Sequence, residues 1–214
     1  MSKSENIPTP AVRRLSLYLR ELEVLQAHDR RTVSSRQLGE ALSLSDAQVR
    51  KDLAYFGQFG HPGIGYRVGA LILRVRRILG TDETSNILLV GVGNLGRALL
   101  SFRGFSKRGF VIAAAFDRDP AKIGVRIDAI PPFRVQPLAE MARTVCERAI
   151  RLGILTVPAA AAQAAADEMI GAGIRGLLNF APVRLQVAAD VSVTSVDLAV
   201  HLEQLSFQLN SGSS

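Results

Sequence analysis

The sequence is short of the residues that several common classes of protein depend on. It has one cysteine, Cys146, and three histidines among 214 residues. A single cysteine excludes an intrachain disulfide framework and is usual in a reducing compartment. Cys146 lies in a segment with helical character, LAEMARTVCERAI, and we interpret it as structural. No Cys/His cluster has the spacing of metal ligands, so the sequence predicts no metal site.

Long apolar runs are missing as well. No segment reaches the roughly 18–20 apolar residues that a membrane-spanning helix needs, and no charged-then-apolar signal segment opens the chain. Apolar residues nevertheless make up 48% of the sequence, which is enough for a well-buried core. We therefore expect a soluble, cytoplasmic protein with no membrane partner.

Positive charge is concentrated in the first third of the chain. Residues 1–80 hold 13 Lys and Arg against 7 Asp and Glu, a net charge of +6, whereas residues 81–214 hold 13 against 12, a net of +1. A basic segment joined to a nearly neutral one indicates a polyanion partner for the first part only. Ribosome-associated and membrane-surface proteins show similar charge, so this feature alone leaves the partner open.

Residues 1–80 are predicted to form three helices, a hairpin and a fourth helix. In TPAVRRLSLYLRELEVLQAHD, Thr9 is the predicted N-cap and Pro10 the first helical residue. SSRQLGEALSLS predicts a second helix capped by Ser34 or Ser35, and Ser45 caps a third. The breaker-rich FGQFGHPGIGYRVG predicts a tight hairpin, followed by the helix ALILRVRRILG. This order is that of a winged helix-turn-helix domain.

The third helix, SDAQVRKDLAYFG, has an apolar stripe and an opposite polar side suited to DNA. In a winged helix this element lies in the major groove, where Arg50 and Lys51 reach guanine edges or phosphates and Gln48 suits adenine. An ordinary surface helix with a solvated polar side is the alternative, but the helix order, the glycine-rich wing and the charge favour DNA. The predicted DNA-binding residues are Ser45, Gln48, Arg50 and Lys51 on this helix, and His61, Tyr66 and Arg67 on the wing.

Beyond residue 80 the hydrophobic pattern changes from helical to alternating strands and helices. Residues 81–86 are polar and are predicted to be a linker. The apolar runs ILLV, FVIAAAF, AIRLGILTV, IRGLLNF and VSVTSV are separated by stretches such as PLAEMARTVCER and AAAAQAAADEMIGAG. This alternation predicts a Rossmann-type, mostly parallel sheet over residues 87–195. Residues 196–214 are predicted to be a C-terminal dimerisation helix and tail.

The first of these strands runs into a dinucleotide-binding fingerprint. Gly91, Gly93 and Gly96 form GxGxxG between a predicted strand and a predicted helix, and Asp117 follows Gly96 by 21 residues at the end of the next strand. An acid there hydrogen-bonds a ribose and repels a 2′-phosphate, which favours NAD(H) over NADP(H), although Arg118 next to it tempers this inference. The alternatives are a glycine turn without a ligand and an aspartate that only caps a turn.

Catalytic groups are scarce around this predicted site. The histidines, His28, His61 and His201, fall on a helix end, in the wing and in the last helix, and no nucleophile elbow is present. We therefore expect a nucleotide-binding protein that is not an enzyme. Two alternatives remain: a small NAD(P)-dependent oxidoreductase with a basic domain appended, and a nucleotide- or CoA-binding scaffold.

The last helix, VDLAVHLEQLSFQL, has an apolar stripe whose packing partner is open. Leu198, Leu202, Leu205 and Leu209 recur at i, i+4, i+7 and i+11. The stripe either covers the protein's own sheet or packs against a second subunit. Because winged-helix repressors commonly bind palindromes as dimers, the second interpretation is favoured.

Several of these motifs, taken in order, resemble the Rex family of redox-sensing transcriptional repressors. They are AQVRKDLAYFGQFGHPGIGY, GVGNLGRALL, FDRDPAKIG, LTVP and LNFAP, and the resemblance extends from about Pro10 to Leu209. It implies a homodimer with an N-terminal winged helix, a C-terminal Rossmann domain and a last helix exchanged between subunits. The family binds palindromic operators upstream of fermentation and respiration genes when NADH is low and leaves DNA when NADH binds, while NAD+ competes for the pocket.

The resemblance also assigns residues to the nucleotide and to the switch. It implies that Asp197 pairs with Arg20 in one state and with a tyrosine hydroxyl in the other, but Phe102 occupies that tyrosine position here. We therefore expect weaker coupling or a different latch, rather than lost binding. The implied nucleotide contacts are Gly91, Val92, Gly93, Asn94, Leu95 and Gly96 for the pyrophosphate, Asp117 and Lys122 for the adenosine end, and Thr156, Val157, Pro158, Asn179, Phe180 and Ala181 for the nicotinamide.

Overall fold

The structure is a computed structural model that describes residues 8–57, 59, 65–129 and 131–211. These residues fall into two compact units that divide between Glu83 and Thr84. The boundary lies inside the polar segment 81–86.

The first unit is mainly helical. Strands β1 (Thr32–Val33) and β2 (Tyr66–Arg67) pair antiparallel, with Thr32 opposite Arg67 and Val33 opposite Tyr66. The side chains buried between the helices form a single apolar core that includes Leu15, Leu22 and Leu38. The elements are α1 (Thr9–Ala27), β1 (Thr32–Val33), α2 (Ser35–Ala41), α3 (Asp46–Ala54), β2 (Tyr66–Arg67) and α4 (Val68–Leu79).

The predicted N-cap residues of the first unit agree with the observed starts of α2 and α3 but not of α1. The predicted N-cap of α1, Thr9, is wrong, because Pro8 has the extended backbone of a cap and Thr9 is already helical. Ser34 is confirmed as the cap of α2: its hydroxyl accepts from the N–H of Gln37, and the Gln37 side chain accepts in turn from the N–H of Ser34. Ser45 is confirmed as the cap of α3, with its Oγ 3.1 Å from the Gln48 nitrogen.

The second unit is built on a six-stranded sheet in which every neighbouring pair is parallel. The strand order is β10 (Ser192–Ser195), β9 (Gly176–Asn179), β8 (Leu152–Leu155), β3 (Ser85–Val90), β4 (Phe110–Asp117) and β7 (Gln136–Pro137). This confirms the predicted α/β class with a parallel sheet. The elements are β3 (Ser85–Val90), α5 (Asn94–Leu100), β4 (Phe110–Asp117), β5 (Arg126–Ile127), β6 (Phe133–Arg134), β7 (Gln136–Pro137), α6 (Met141–Glu147), β8 (Leu152–Leu155), α7 (Ala159–Gly171), β9 (Gly176–Asn179), β10 (Ser192–Ser195) and α8 (Leu198–Ser211).

Both faces of this sheet are covered, which explains why its strands are apolar without alternation. Along β3, Leu88 and Val90 belong to one core cluster, and Ile87 and Leu89 belong to another. Within the described part of the chain, no helix combines the length and the apolar content needed to cross a bilayer.

The apolar stripe of α8 is exposed in the single chain. The relative exposures of Leu198, Leu202, Leu205 and Leu209 are 63%, 68%, 55% and 76%. A helix that covered its own sheet would bury these side chains, so the structure does not support that alternative. Exposed leucines at helical spacing form a surface suited to protein association.

Candidate functional site

A cleft opens at the carboxyl edge of the sheet, where the strand order reverses between β3 and β8. This topological switch point is where open parallel sheets bind ligands. The cleft has a volume of about 840 Å³ and lies between the loops that follow β3, β4 and β8. The predicted nucleotide residues that line it are Gly91, Gly93, Leu95, Asp117, Lys122, Thr156, Val157, Pro158 and Phe180.

The three glycines of the fingerprint differ in the space around them. Gly91 has φ +98°, and a Cβ there would lie 2.8 Å from the carbonyl oxygen of Thr156. A Cβ on Gly96 would overlap the carbonyl oxygen of Gly91. A Cβ on Gly93 would meet no protein atom within 4 Å. The first and third glycines are therefore needed by the fold, whereas the space beside the second is open.

Asp117 joins the glycine-rich loop to the end of β4. Its Oδ2 accepts from the backbone N–H of Val92 at 2.7 Å and from Lys122 Nζ at 3.1 Å, and its Oδ1 accepts from the N–H of Asp119 at 3.0 Å. Burial pushes the pKa of Asp117 upward, but these hydrogen bonds outweigh it and the pKa is lowered. The carboxylate is thus ionised at neutral pH, and it both organises the loop and borders the cleft.

An Asp117→Asn substitution is expected to lower the free energy of unfolding of the second unit by about 1–3 kcal/mol. The new amide nitrogen cannot accept a hydrogen bond, so it leaves one of the three donors without its acceptor. Chemical denaturation followed by circular dichroism measures the change. Asp128→Asn is the control, because Asp128 makes an exposed ion pair with Arg126. Equal losses in the two variants would contradict a structural role for the Asp117 network.

Thr156 connects the two sides of the cleft, a role that its sequence position did not reveal. Its hydroxyl lies 2.7 Å from the carbonyl oxygen of Gly91 and 3.1 Å from that of Val90, and it donates to this pair.

Helix α7 forms a wall of the cleft that was not predicted from the sequence. A signal was present, because Ala160, Ala161, Ala164 and Ala165 recur at helical spacing and line the cleft with small side chains.

The structure does not bring every predicted nucleotide residue to the cleft surface. Asn179 is fully buried, where its side chain donates to the carbonyls of Ala181 and Val183 and accepts from the N–H of Ala181. It shapes the loop that presents Phe180. The other predicted residues outside the cleft lining are Val92, Asn94, Gly96 and Ala181.

The predicted DNA-contacting side chains of α3 differ in how firmly they are held within the first unit. Arg50 donates to Asp46 at 2.6 Å and to the Ser35 hydroxyl at 3.2 Å, which fixes its guanidinium beside the start of the helix. Lys51 is exposed and makes no hydrogen bond or ion pair with another described residue. Ser45 is occupied as the N-cap.

The predicted wing residues differ in placement. Tyr66 lies in β2 and is 9% exposed, packed in the helical core, because β2 pairs with β1 and turns that side chain inward. Its ring is therefore a core element and not the exposed wing contact expected from sequence. Arg67 is exposed at the start of α4. His61 lies outside the described residues.

The three predicted switch residues belong to different units. Arg20 is exposed on α1. Phe102 is 56% exposed and packs edge-to-face on Phe105, with ring centroids 5.2 Å apart. Asp197 accepts from the N–H groups of Ala199 and Val200 and so caps α8. Among the described residues, no group of three or more His, Cys, Asp or Glu side chains is placed to hold a metal ion.

Known proteins match both units. The sequence model for the "Putative DNA-binding protein N-terminus" matches residues 6–54, and the model for the "CoA binding domain" matches residues 82–183. Among solved structures, RSP, a Rex-family repressor, has been crystallised with beta-NAD+ and operator DNA. That structure has 35% sequence identity and a TM-score of 0.90 over 98% of this chain and 95% of that one. The complex of RSP with beta-NADH has 34% identity and a TM-score of 0.84 over 96% and 95%.

Curated relatives match nearly from end to end. A redox-sensing transcriptional repressor Rex from Desulforamulus reducens is 48% identical over 97% of both chains. The Rex of Carboxydothermus hydrogenoformans is 45% identical over 97% of this chain and 98% of its own, and that of Brevibacillus brevis is 43% identical over 98% and 100%. With identities this high along the whole length, the chain belongs to the Rex family of redox-sensing transcriptional repressors.

Proposed function

We propose that this protein is a transcriptional repressor that binds palindromic operator DNA as a homodimer and is released by NADH. The observation that carries the proposal is the presence in one chain of a cleft lined by the dinucleotide fingerprint and of a helix α3 whose Ser45 cap and Arg50 side chain are held by hydrogen bonds. RSP, which matches along the whole chain, has been crystallised with operator DNA and with both redox forms of the nucleotide. The repressor acts in the cytoplasm and needs neither a membrane nor a metal.

On the nucleotide side, the ligand is NAD(H). The pyrophosphate lies over the loop from Gly91 to Gly96, where Gly93 leaves the backbone open. The ionised carboxylate of Asp117 faces the adenosine ribose and repels a 2′-phosphate, and Lys122 steadies that carboxylate. The loop Thr156–Pro158 and the segment from Asn179 to Ala181 enclose the nicotinamide.

On the DNA side, α3 enters the major groove and the exposed leucines of α8 pack against a second copy, whose α8 is exchanged with the first. Two recognition helices then face two half-sites of a palindrome. NADH shifts the dimer toward a geometry in which these helices no longer match the spacing of the half-sites. The free energy of this equilibrium changes by no more than the difference between the binding free energies of NADH to the two geometries.

We further propose that the cleft binds NADH without turning it over. Among the described residues, its lining includes Asp117, Asp119, Lys122 and Glu168 but no histidine, and Asp117 is committed to backbone and lysine donors. A steady decrease of NADH absorbance at 340 nm with any carbonyl compound would instead favour an oxidoreductase with an appended DNA-binding unit.

The deciding experiment is fluorescence anisotropy of a labelled palindromic operator, titrated with protein and then with NADH or NAD+. Salt is held constant because phosphate contacts make affinity steeply salt-dependent. Release by NADH at concentrations at which NAD+ leaves the complex intact is the expected result. Binding that is independent of DNA sequence would contradict the repressor function and favour the alternative of a scaffold protein with a basic segment.

A Phe102→Tyr substitution is expected to increase the release caused by a given NADH concentration. The phenyl ring cannot donate a hydrogen bond to Asp197, whereas a tyrosine hydroxyl can, and a bond to a charged group contributes about 1.5–3 kcal/mol. The same titration measures the shift. Phe105→Tyr, on the neighbouring ring, is the control. An unchanged release curve for Phe102→Tyr would mean that a hydrogen bond from residue 102 to Asp197 does not stabilise the NADH-bound state.

A further inference from the structure

A buried carboxylate, that of Asp52, lies on the side of α3 that meets α1. Asp52 is fully buried, and four hydrogen bonds converge on it. Arg14 on α1 donates from Nε to Oδ2 at 2.5 Å and from Nη2 to Oδ1 at 2.8 Å, and the Tyr18 hydroxyl donates to Oδ2 at 2.7 Å. The fourth bond comes from Gln48 on α3, whose Nε2 lies 2.7 Å from Oδ1. One acid thus ties a predicted base-contacting side chain to α1.

This bond decides which way the Gln48 amide faces. An ionised carboxylate only accepts hydrogen bonds, so the NH2 end of the amide must point at Asp52. The Gln48 Oε1 accepts no hydrogen bond from another described residue, and no buried side-chain nitrogen or oxygen in the described part of the chain lacks a partner. The Oε1 is therefore not fully buried, on a half-buried side chain of a helix whose start is fixed by the Ser45 cap.

We propose, building on the repressor function, that Asp52 is a positioning residue that makes Gln48 present its Oε1 to the major groove as a hydrogen-bond acceptor. The base that Gln48 contacts then carries an exocyclic amino group, which in the major groove means adenine or cytosine. Guanine and thymine offer only acceptors at the corresponding edge and are rejected. Without Asp52 the amide rotates freely and presents either end, so selectivity at that base pair is lost.

The test is selection of duplexes from a randomised palindromic library by the full-length protein, followed by sequencing. For the parent chain, one position in each half-site is expected to prefer adenine or cytosine on one strand. In Gln48→Met, which keeps the length of the side chain but not its acceptor, that preference falls by about 5- to 100-fold while the other positions keep theirs. Gln26→Met, on α1, is the matched control and leaves the whole consensus unchanged.

Asp52→Asn distinguishes positioning from mere stability. If Asp52 orients Gln48, this variant broadens the same single position that Gln48→Met broadens. If Asp52 only supports the fold, binding weakens at all positions equally and the consensus is retained, which overturns the proposal. A consensus unchanged in Gln48→Met, or a preference for guanine or thymine that disappears in that variant, also overturns it.

A second measurement on the parent chain covers the case in which Asp52→Asn fails to fold. The Gln48 side-chain NH2 resonances are assigned by their loss in Gln48→Met. The NH2 hydrogens are expected to exchange slowly with solvent, and their resonances are expected to shift as Asp52 titrates. Exchange as fast as that of an exposed glutamine would overturn the proposal. Failure of the parent chain to enrich any duplex would count against the repressor function itself, which separates the two outcomes.

Discussion

A Gly93→Ala variant will fold and bind operator DNA like the parent chain, but it will need at least about tenfold more NADH for release. In the protein alone, a Cβ at this position meets no atom within 4 Å, and the backbone has no need of a glycine conformation. The same methyl group would occupy the space through which a pyrophosphate approaches the loop. The cost therefore falls on the ligand and leaves the fold unchanged.

Two other glycines are matched controls for this prediction. Gly171, in α7, also has nothing within 4 Å of an added Cβ, so Gly171→Ala should not lower stability and should leave NADH affinity unchanged. Gly96→Ala should destabilise the second unit, because its Cβ would overlap the Gly91 carbonyl oxygen. Thermal unfolding and calorimetric titration with NADH measure the two effects separately. A Gly93→Ala variant with parental NADH affinity would place the pyrophosphate elsewhere.

The position of the cleft was predictable from the sequence, whereas its internal bonding was not. Gly91, Gly93 and Gly96 follow a strand and precede a helix, and this arrangement specifies the loop. Asp117 was identified by its distance along the chain, but its bond to the Val92 N–H depends on the parallel pairing of β3 and β4. Spacing along a sequence does not show which backbone donors a carboxylate meets after two strands pair.

The first unit shows a related limit at Tyr66. Tyrosine among glycines in a basic segment resembles an exposed wing contact, yet pairing of β2 with β1 turns the ring into the core. The alternation of a strand sends one of two neighbours inward, and here Arg67 is the outward one. Local composition predicts a wing, but only the strand pairing decides that Arg67 faces solvent and Tyr66 does not.

The burial of Asp52 has a signal in the sequence. Asp52 adjoins Leu53 on the apolar side of α3, three residues after Val49, where a charged residue needs a partner. Arg14 and Tyr18, four residues apart on α1, supply that partner. An acid on an apolar helix face, with an arginine and a tyrosine at helical spacing elsewhere, predicts a buried ion pair. It does not predict which helices meet.

An Arg14→Met variant is expected to lose about 3 kcal/mol of stability in the first unit, near the lower end of the range for breaking a buried ion pair, because Arg14 is itself a quarter exposed. The loss arises because Asp52 keeps its charge in a buried position with only Tyr18 and Gln48 as donors. Arg36→Met is the matched control, since Arg36 pairs with Glu40 at the surface, and its stability should change little. Urea denaturation followed by circular dichroism measures both.

The pH dependence of the loss tests its cause. Burial raises the pKa of Asp52, but the hydrogen bonds from Arg14, Tyr18 and Gln48 outweigh it and lower the pKa. A lowered pKa contributes stability above the carboxyl's unfolded pKa of about 3.9, and that stability disappears as the pH falls through the folded pKa. The difference between Arg14→Met and the parent should therefore be constant near neutrality and shrink below about pH 4.

Combining Arg14→Met with Asp52→Asn separates two causes of the lost stability. One is the loss of the Arg14–Asp52 hydrogen bonds, and the other is the cost of leaving the buried Asp52 charge without its ion-pair partner. The double variant removes the buried charge together with its partner, so its total loss should be smaller than the sum of the two single losses. Groups in direct contact couple in this way, and Arg14 and Asp52 share two hydrogen bonds. If the single losses instead add, Asp52 tolerates its charge without Arg14, and the arginine stabilises the first unit only through its packing on α3.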